Sequence, residues 1–68
     1  MEFSMEIKKL RQQMMLSQEE MARELGVSFA TVNRWETGKA KPTYRTLRLI
    51  NDFCHKRGVP FVLIQDEK

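Results

Sequence analysis

The chain has 68 residues, of which 41% are hydrophobic and 31% charged, and its formal net charge at pH 7 is +3. This length allows one folded domain, because two cores of stable size need roughly 100 residues or more. The apolar content is too high for a disordered segment, and no apolar run approaches the ~18 residues that span a bilayer. The composition therefore predicts one small soluble domain and excludes a second, catalytic one.

The N-terminus and the cysteine content indicate a compartment. The chain does not open with a basic segment followed by an apolar stretch, so we expect no secretory signal. A single cysteine, Cys54, cannot form an internal disulfide. We therefore expect a cytoplasmic protein that is stabilised by packing or by a partner.

Basic residues are concentrated in one third of the chain. Residues 34–57 hold seven lysines and arginines against two acidic residues, whereas residues 1–33 have a net charge of −1. Such an excess indicates a polyanionic partner, and nucleic acid is the commonest one. A solvated basic face is the alternative that the charge alone leaves open.

Caps and periodicity predict the first two helices. Ser4 is a candidate cap for helix 1, in which apolar residues recur at spacings of three and four up to about Met15. Helix 2 follows a capping box that begins at Ser17, and it stops before Gly26, which supplies the positive φ of a sharp exit. It is predicted over residues 18–25.

Two further helices are predicted by the same signals. Helix 3 is capped by Ser28, carries Val32 and Trp35 on its inward face and ends before Gly38. Helix 4 follows Thr43 and closes at Gly58, and its apolar stripe is too wide for a helix that faces solvent on one side. Both the core and another surface are expected to be needed to cover this stripe.

The C-terminal segment departs from this helical pattern. The β-prone run from Phe61 to Ile64 predicts a short strand, so we expect an all-α domain of four helices over residues 1–58 and a tail over residues 59–68. Because an exposed strand edge recruits other chains, we expect two copies to pair these strands antiparallel. A strand folded back on its own core is the alternative. The predicted dimer contact consists of Leu49, Phe53, Phe61, Val62, Leu63 and Ile64.

Two short helices joined through Gly26 suit a helix-turn-helix. The sequence from Leu16 to Pro42 resembles the phage repressor and Cro type of helix-turn-helix regulator, also called Xre-like, and the resemblance extends roughly over residues 7–50. It implies a lambda-repressor-like DNA-binding domain of four or five helices that usually dimerises on near-palindromic operators. Here the strand would replace the fifth helix. The residues that carry the resemblance are Gln18, Ala22, Gly26, Val32, Trp35, Glu36, Gly38 and Pro42.

The resemblance makes helix 3 the recognition helix, which enters the major groove. Helical spacing agrees, because inward Val32 and Trp35 turn Arg34 outward. The forked donors of Arg34 can contact guanine O6 and N7, Asn33 can pair with adenine, and Phe29 can pack on a thymine methyl. A solvated or phosphate-bound Arg34, a solvated Asn33 and a Phe29 in the core are the alternatives. The expected base contacts are Ser28, Phe29, Ala30, Asn33, Arg34 and Thr37.

Phosphate contacts are expected on both sides of helix 3. Gln18 starts helix 2, where orphan backbone N–H groups can bind a phosphate, and the family uses a glutamine there in that way. The loop after helix 3 supplies Lys39, Lys41, Thr43 and Arg45, with a plain solvated loop as the alternative. Arg11 and Glu36 match positions that form an internal ion pair in the family, which makes Arg11 structural.

An enzyme is not expected. Cys54 and His55 are neighbours in a helix, so their side chains diverge by about 100° and cannot act as nucleophile and base. One histidine and one cysteine fall short of a metal site, and we expect no cofactor. The leading hypothesis is a regulator that binds double-stranded DNA as a homodimer, away from membranes. The alternative is a protein-interaction module, such as an antitoxin or adaptor, that uses the apolar tail or the Phe29 surface.

Overall fold

The structure is a computed structural model and describes residues 3–59. Within this range the chain forms four α-helices and no strand, which confirms the all-α expectation for this part of the chain. The predicted strand from Phe61 to Ile64 lies outside the described residues. No helix in the described range is long and apolar enough to cross a membrane. The helices are α1 (Phe3–Gln13), α2 (Gln18–Leu25), α3 (Phe29–Glu36) and α4 (Tyr44–Lys56).

Hydroxyl side chains cap three of the helices at the positions that the sequence predicts. Ser17 Oγ accepts from the Glu20 backbone N–H at 3.0 Å, and the Glu20 carboxylate accepts from the Ser17 N–H at 2.8 Å. This is the complete capping box expected for α2. Ser28 and Thr43 cap α3 and α4, each accepting from the N–H three residues further on.

The start of α1 differs from the prediction. Ser4 lies within α1 rather than capping it, because Phe3, the first described residue, is already helical. The Phe3 ring packs edge-to-face on Trp35, with ring centroids 6.0 Å apart and planes at 77°. This contact with α3 holds the first turn of α1 on the core.

Every helix ends in a Schellman motif, in which a residue of positive φ is followed by an N–H that donates to the carbonyl five residues earlier. Glycine occupies the positive-φ position after α2, α3 and α4, at Gly26, Gly38 and Gly58. After α1 this position is Met15, with φ of 58° and 89% of its surface exposed. Helix α1 therefore stops at Gln13, two residues earlier than predicted.

The core takes one apolar face from each helix. Helix α3 lies against both α1 and α2, and α4 packs on α2. Val32 and Trp35 are 0% and 4% exposed, so the predicted inward face of α3 is confirmed. Burial of these faces, at about 25 cal/mol per Å² of apolar surface, is the main force that holds α3 in place. The buried core consists of Ile7, Leu10, Met21, Ala22, Leu25, Val32, Trp35, Ile50, Phe53 and Cys54.

Phe53 and Leu49, the two α4 residues of the predicted dimer contact, differ in burial. Phe53 is only 8% exposed, and the Arg57 guanidinium lies 5.1 Å from the centroid of its ring. The chain's own core and Arg57 thus cover most of Phe53, which leaves little of it for the dimer contact that the sequence predicts. Leu49 is exposed and keeps its surface available for such a contact.

Candidate nucleic-acid interface

The outward face of α3 is open to solvent. Arg34 is exposed, and no described residue forms a hydrogen bond or an ion pair with its side chain. Phe29 is 50% exposed, so it lies at the surface rather than in the core. A helix whose opposite face is anchored by Val32 and Trp35 directs these side chains away from the core. The residues of this face are Phe29, Ala30, Asn33, Arg34 and Thr37.

The hydroxyl groups at the two ends of α3 are already used by the helix. Ser28 Oγ accepts from the Thr31 N–H at 3.1 Å and lies 2.8 Å from Thr31 Oγ1. Thr37 Oγ1 donates to the carbonyl oxygen of Asn33 at 2.9 Å. Thr37 therefore retains only acceptor lone pairs for a base. Both residues are weaker candidates for reading bases than Arg34, whose donors are all uncommitted.

Positive charge surrounds the C-terminal end of α3. Lys39, Lys41 and Arg45 are exposed, and none forms an ion pair within residues 3–59. Thr43 is bound to its own helix, since its hydroxyl accepts from the Thr46 N–H and donates to Thr46 Oγ1, both at 3.1 Å. Lys39, Lys41, Arg45 and Arg34 thus carry four positive charges without an ion-pair partner in the described range.

An ion pair ties α1 to the end of α3. Arg11 Nε donates to Glu36 Oε2 at 2.6 Å and Arg11 Nη2 to Glu36 Oε1 at 3.0 Å, with side chains 14% and 3% exposed. Arg11 Nη1 also donates to the Leu16 carbonyl oxygen at 2.8 Å. The hydrogen bond to Glu36 raises the pKa of Arg11 above its ordinary value, and burial opposes this in part. Arg11 is thereby committed to fixing α1, the following turn and α3 together.

Gln18 connects this ion pair to the outward face of α3. Its Nε2 donates to Glu36 Oε1 at 3.1 Å, and its Oε1 accepts from Asn33 Nδ2 at 3.3 Å. The sequence predicts separate DNA contacts for Gln18 and Asn33 and does not indicate their contact with each other. The available signal was position alone, because the first turn of α2 and the last turns of α3 meet in a helix-turn-helix.

Cys54 and His55 are adjacent on α4 but differ in burial. Cys54 is buried in the core, and desolvation raises the pKa of its thiol. His55, its neighbour, is exposed. Within residues 3–59, no group of three or more histidine, cysteine or acidic side chains is placed to hold a metal ion.

The sequence and the geometry agree with a known family. Residues 7–57 match the helix-turn-helix family. The chain belongs to this family, in the branch of phage repressor and Cro-type proteins, which are DNA-binding transcription regulators.

The chain is similar to the HTH-type transcriptional activator BcrR of Enterococcus faecalis, with 38% identity over 53 residues. This similarity covers 78% of the chain and 26% of BcrR, so the chain spans about a quarter of the length of that relative. No solved structure matches the chain significantly.

Proposed function

We propose that the chain is a sequence-specific transcription regulator that places α3 in the major groove of double-stranded DNA. The observation that carries this proposal is the two-sided construction of α3. Val32 and Trp35 fix one face in the core, and Arg34 projects from the other face without a partner in the described range. A single α-helix fits the major groove, and the forked guanidinium matches the acceptors O6 and N7 of guanine.

The charges beside α3 support phosphate contacts. Lys39, Lys41 and Arg45 are exposed and unpaired in this part of the structure, so they can neutralise phosphates on either side of the groove. The start of α2 is a weaker anion site, because its first turn carries Glu19 and Glu20. The loop lysines are therefore the principal phosphate contacts in this proposal, and the α2 terminus is secondary.

Binding as a homodimer belongs to the same proposal. Two copies related by a two-fold axis would place their α3 helices on half-sites about one helical turn, ~34 Å, apart. Exposed Leu49 on α4 supports a contact between copies on that helix. The strand predicted over residues 61–64 is the second candidate contact, and it lies outside the described residues.

A selection of bound duplexes from a random pool, followed by titration at two salt concentrations, tests this function. We expect one preferred site with two-fold symmetry and an affinity that falls steeply as salt rises, because basic side chains release counterions from DNA. Binding that is absent, or that does not change with salt, would contradict the proposal. A preferred site without symmetry would contradict the homodimer alone.

The half-exposed ring of Phe29 favours a second candidate function, a protein-interaction module. An aromatic side chain at the start of α3 offers a base little beyond apolar contact, whereas it is a common anchor in protein interfaces. Under this alternative, Phe29→Ala removes binding to a protein partner and leaves DNA binding unchanged. Under the DNA-binding proposal, the same substitution weakens the preference for one base pair in the selected site.

A further inference from the structure

Four side chains form a continuous hydrogen-bonded series from α1 to the outward face of α3. Arg11 donates twice to Glu36, Gln18 donates to Glu36 at 3.1 Å, and Asn33 donates to Gln18 at 3.3 Å. Asn33 is the one member that lies on the proposed DNA-reading face. All four residues, Asn33 included, are partly buried.

Chemistry fixes the direction of every bond in this series. A carboxylate paired with a guanidinium only accepts hydrogen bonds, so Gln18 must turn its NH₂ group toward Glu36. The carbonyl oxygen of Gln18 then faces Asn33. Because that oxygen also only accepts, Asn33 must turn its own NH₂ group toward Gln18. The orientation of the Asn33 carboxamide is therefore set by the ion pair, through Gln18.

We infer that Gln18 is a positioning residue that orients Asn33 to read adenine, an inference that rests on the proposed DNA-binding function. With one N–H given to Gln18, Asn33 keeps its carbonyl oxygen and its second N–H for the groove. These two groups complement adenine, whose N6 amino group donates and whose N7 accepts. Guanine presents two acceptors at the same edge and has no donor for the fixed carbonyl oxygen.

This role differs from a phosphate contact by Gln18. A phosphate contact strengthens binding to every sequence equally, whereas an orienting contact changes the preference at one base pair. Without Gln18, the Asn33 carboxamide is free to rotate and to turn its NH₂ group toward guanine. The two roles therefore predict different results for a variant in which Gln18 has lost its polar atoms. Loss of a phosphate contact weakens binding to all sequences, whereas loss of the orienting contact changes the preference at one base pair.

The test compares the wild-type chain with Gln18→Met, Asn33→Ala and the double variant. Methionine keeps the length of the side chain, and Glu36 keeps Arg11 as its partner, so α2 and α3 should remain folded. Selection from a random duplex pool is expected to show that the wild type prefers adenine at the base pair affected by Asn33→Ala. In Gln18→Met this preference should fall about tenfold. The double variant should be no less selective there than Asn33→Ala.

Two outcomes of the selection would overturn the inference. One is a Gln18→Met variant that binds all sequences more weakly but keeps each base preference, as a phosphate contact would. The other is a Gln18→Met variant with unchanged selection. In both cases the wild type still binds a defined site, so the proposed function stands. A wild type that selects no site would instead contradict the proposed function itself.

A measurement without DNA tests the physical basis of the inference. Hydrogen exchange of side-chain amide protons, followed by NMR, should be slower for Asn33 than for exposed Asn51 in the wild type. In Gln18→Met the exchange rate of Asn33 should rise toward that of Asn51 while the backbone amide spectrum stays dispersed. Equal rates in the wild type would show that Asn33 is not held, and would overturn the inference.

Discussion

Met15 occupies a backbone position that normally belongs to glycine. The left-handed conformation costs a residue with a side chain roughly 1–2 kcal/mol, and the exposed Met15 side chain makes little contact that could offset this cost. Met15→Gly should therefore raise the free energy of unfolding by about 0.5 kcal/mol, after the greater freedom of glycine in the unfolded chain is subtracted. The measurement is the midpoint of urea unfolding.

Met5 gives a matched control for this change. It is also exposed but lies within α1, where glycine is a poor helix former. Met5→Gly should lower stability by about 1 kcal/mol. If both substitutions lower stability equally, the left-handed conformation of Met15 is not a source of strain.

Arg11 is the residue whose loss should harm the fold most without touching the apolar core. Removing one partner of a buried ion pair leaves the other charge unpaired, at a cost of about 3–5 kcal/mol when burial is complete. Because the Arg11 side chain is partly exposed, we expect a loss near ~3 kcal/mol for Arg11→Met. Lys8→Met, at an exposed position of the same helix, should change stability by less than about 0.5 kcal/mol. Equal effects in urea unfolding would contradict a structural role for Arg11.

Some of these contacts can be predicted from the sequence, and others cannot. The Arg11 and Glu36 positions follow from the resemblance to the phage repressor family, and the structure brings them together. The contact between Gln18 and Asn33 could not be foreseen, because amide side chains pair with many partners and only the crossing of two helices places these two within reach. The contact between Arg57 and the Phe53 ring, by contrast, joins residues four apart along the chain, a spacing that brings side chains together on a helix.

At the scale of elements, the capping box of α2 predicts a response to acid. Hydrogen bonds from the Ser17 backbone, and then from its side chain, lower the pKa of Glu20. A carboxyl group whose pKa is lowered in the folded state contributes stability above its unfolded pKa and loses it as pH falls through the folded value. The free energy of unfolding of the wild type, measured with urea, should therefore fall more between neutral and strongly acidic pH than that of Glu20→Gln.

The glutamine variant isolates the charge, because it keeps an acceptor for the Ser17 N–H. Glu19→Gln, in the same turn but not bonded to Ser17, is the control and should stay close to the wild type. An acid response of Glu20→Gln identical to that of the wild type would show that the capping carboxylate does not contribute.

Element boundaries follow the strength of local signals. Helix α2 starts and ends where its capping box and Gly26 predict, since both signals act within the chain itself. Helix α1 departs at both ends. The turn that contains Phe3 and Ser4 is already helical and packs on Trp35, and the helix ends at a methionine that adopts the conformation of glycine. Local sequence does not encode either feature, because one needs a distant partner and the other contradicts residue preference.

In the molecule as a whole, one set of contacts stabilises the fold and a different set of charges is left available for DNA. The ion pair of Arg11 and Glu36 and the apolar faces hold three helices together, while the basic side chains near the end of α3 stay unpaired within residues 3–59. Lys39→Ala should therefore weaken binding to all duplexes alike and reduce the dependence of log affinity on log salt by about 0.9. Lys56→Ala is the control, because Lys56 lies with Leu25 at the opposite end of α2 from Gln18. Equal changes in the two variants would contradict a phosphate contact by the loop.

The most direct test of the central claim is the base preference of Arg34→Ala, measured on duplexes selected by the wild type. If the outward face of α3 reads bases, this variant should lose about tenfold in discrimination at one guanine-containing base pair. Its urea unfolding should match the wild type, since Arg34 has no partner within residues 3–59. A folded Arg34→Ala variant that keeps every base preference, or that loses affinity equally for all sequences, would contradict the assignment of α3 as the reading helix.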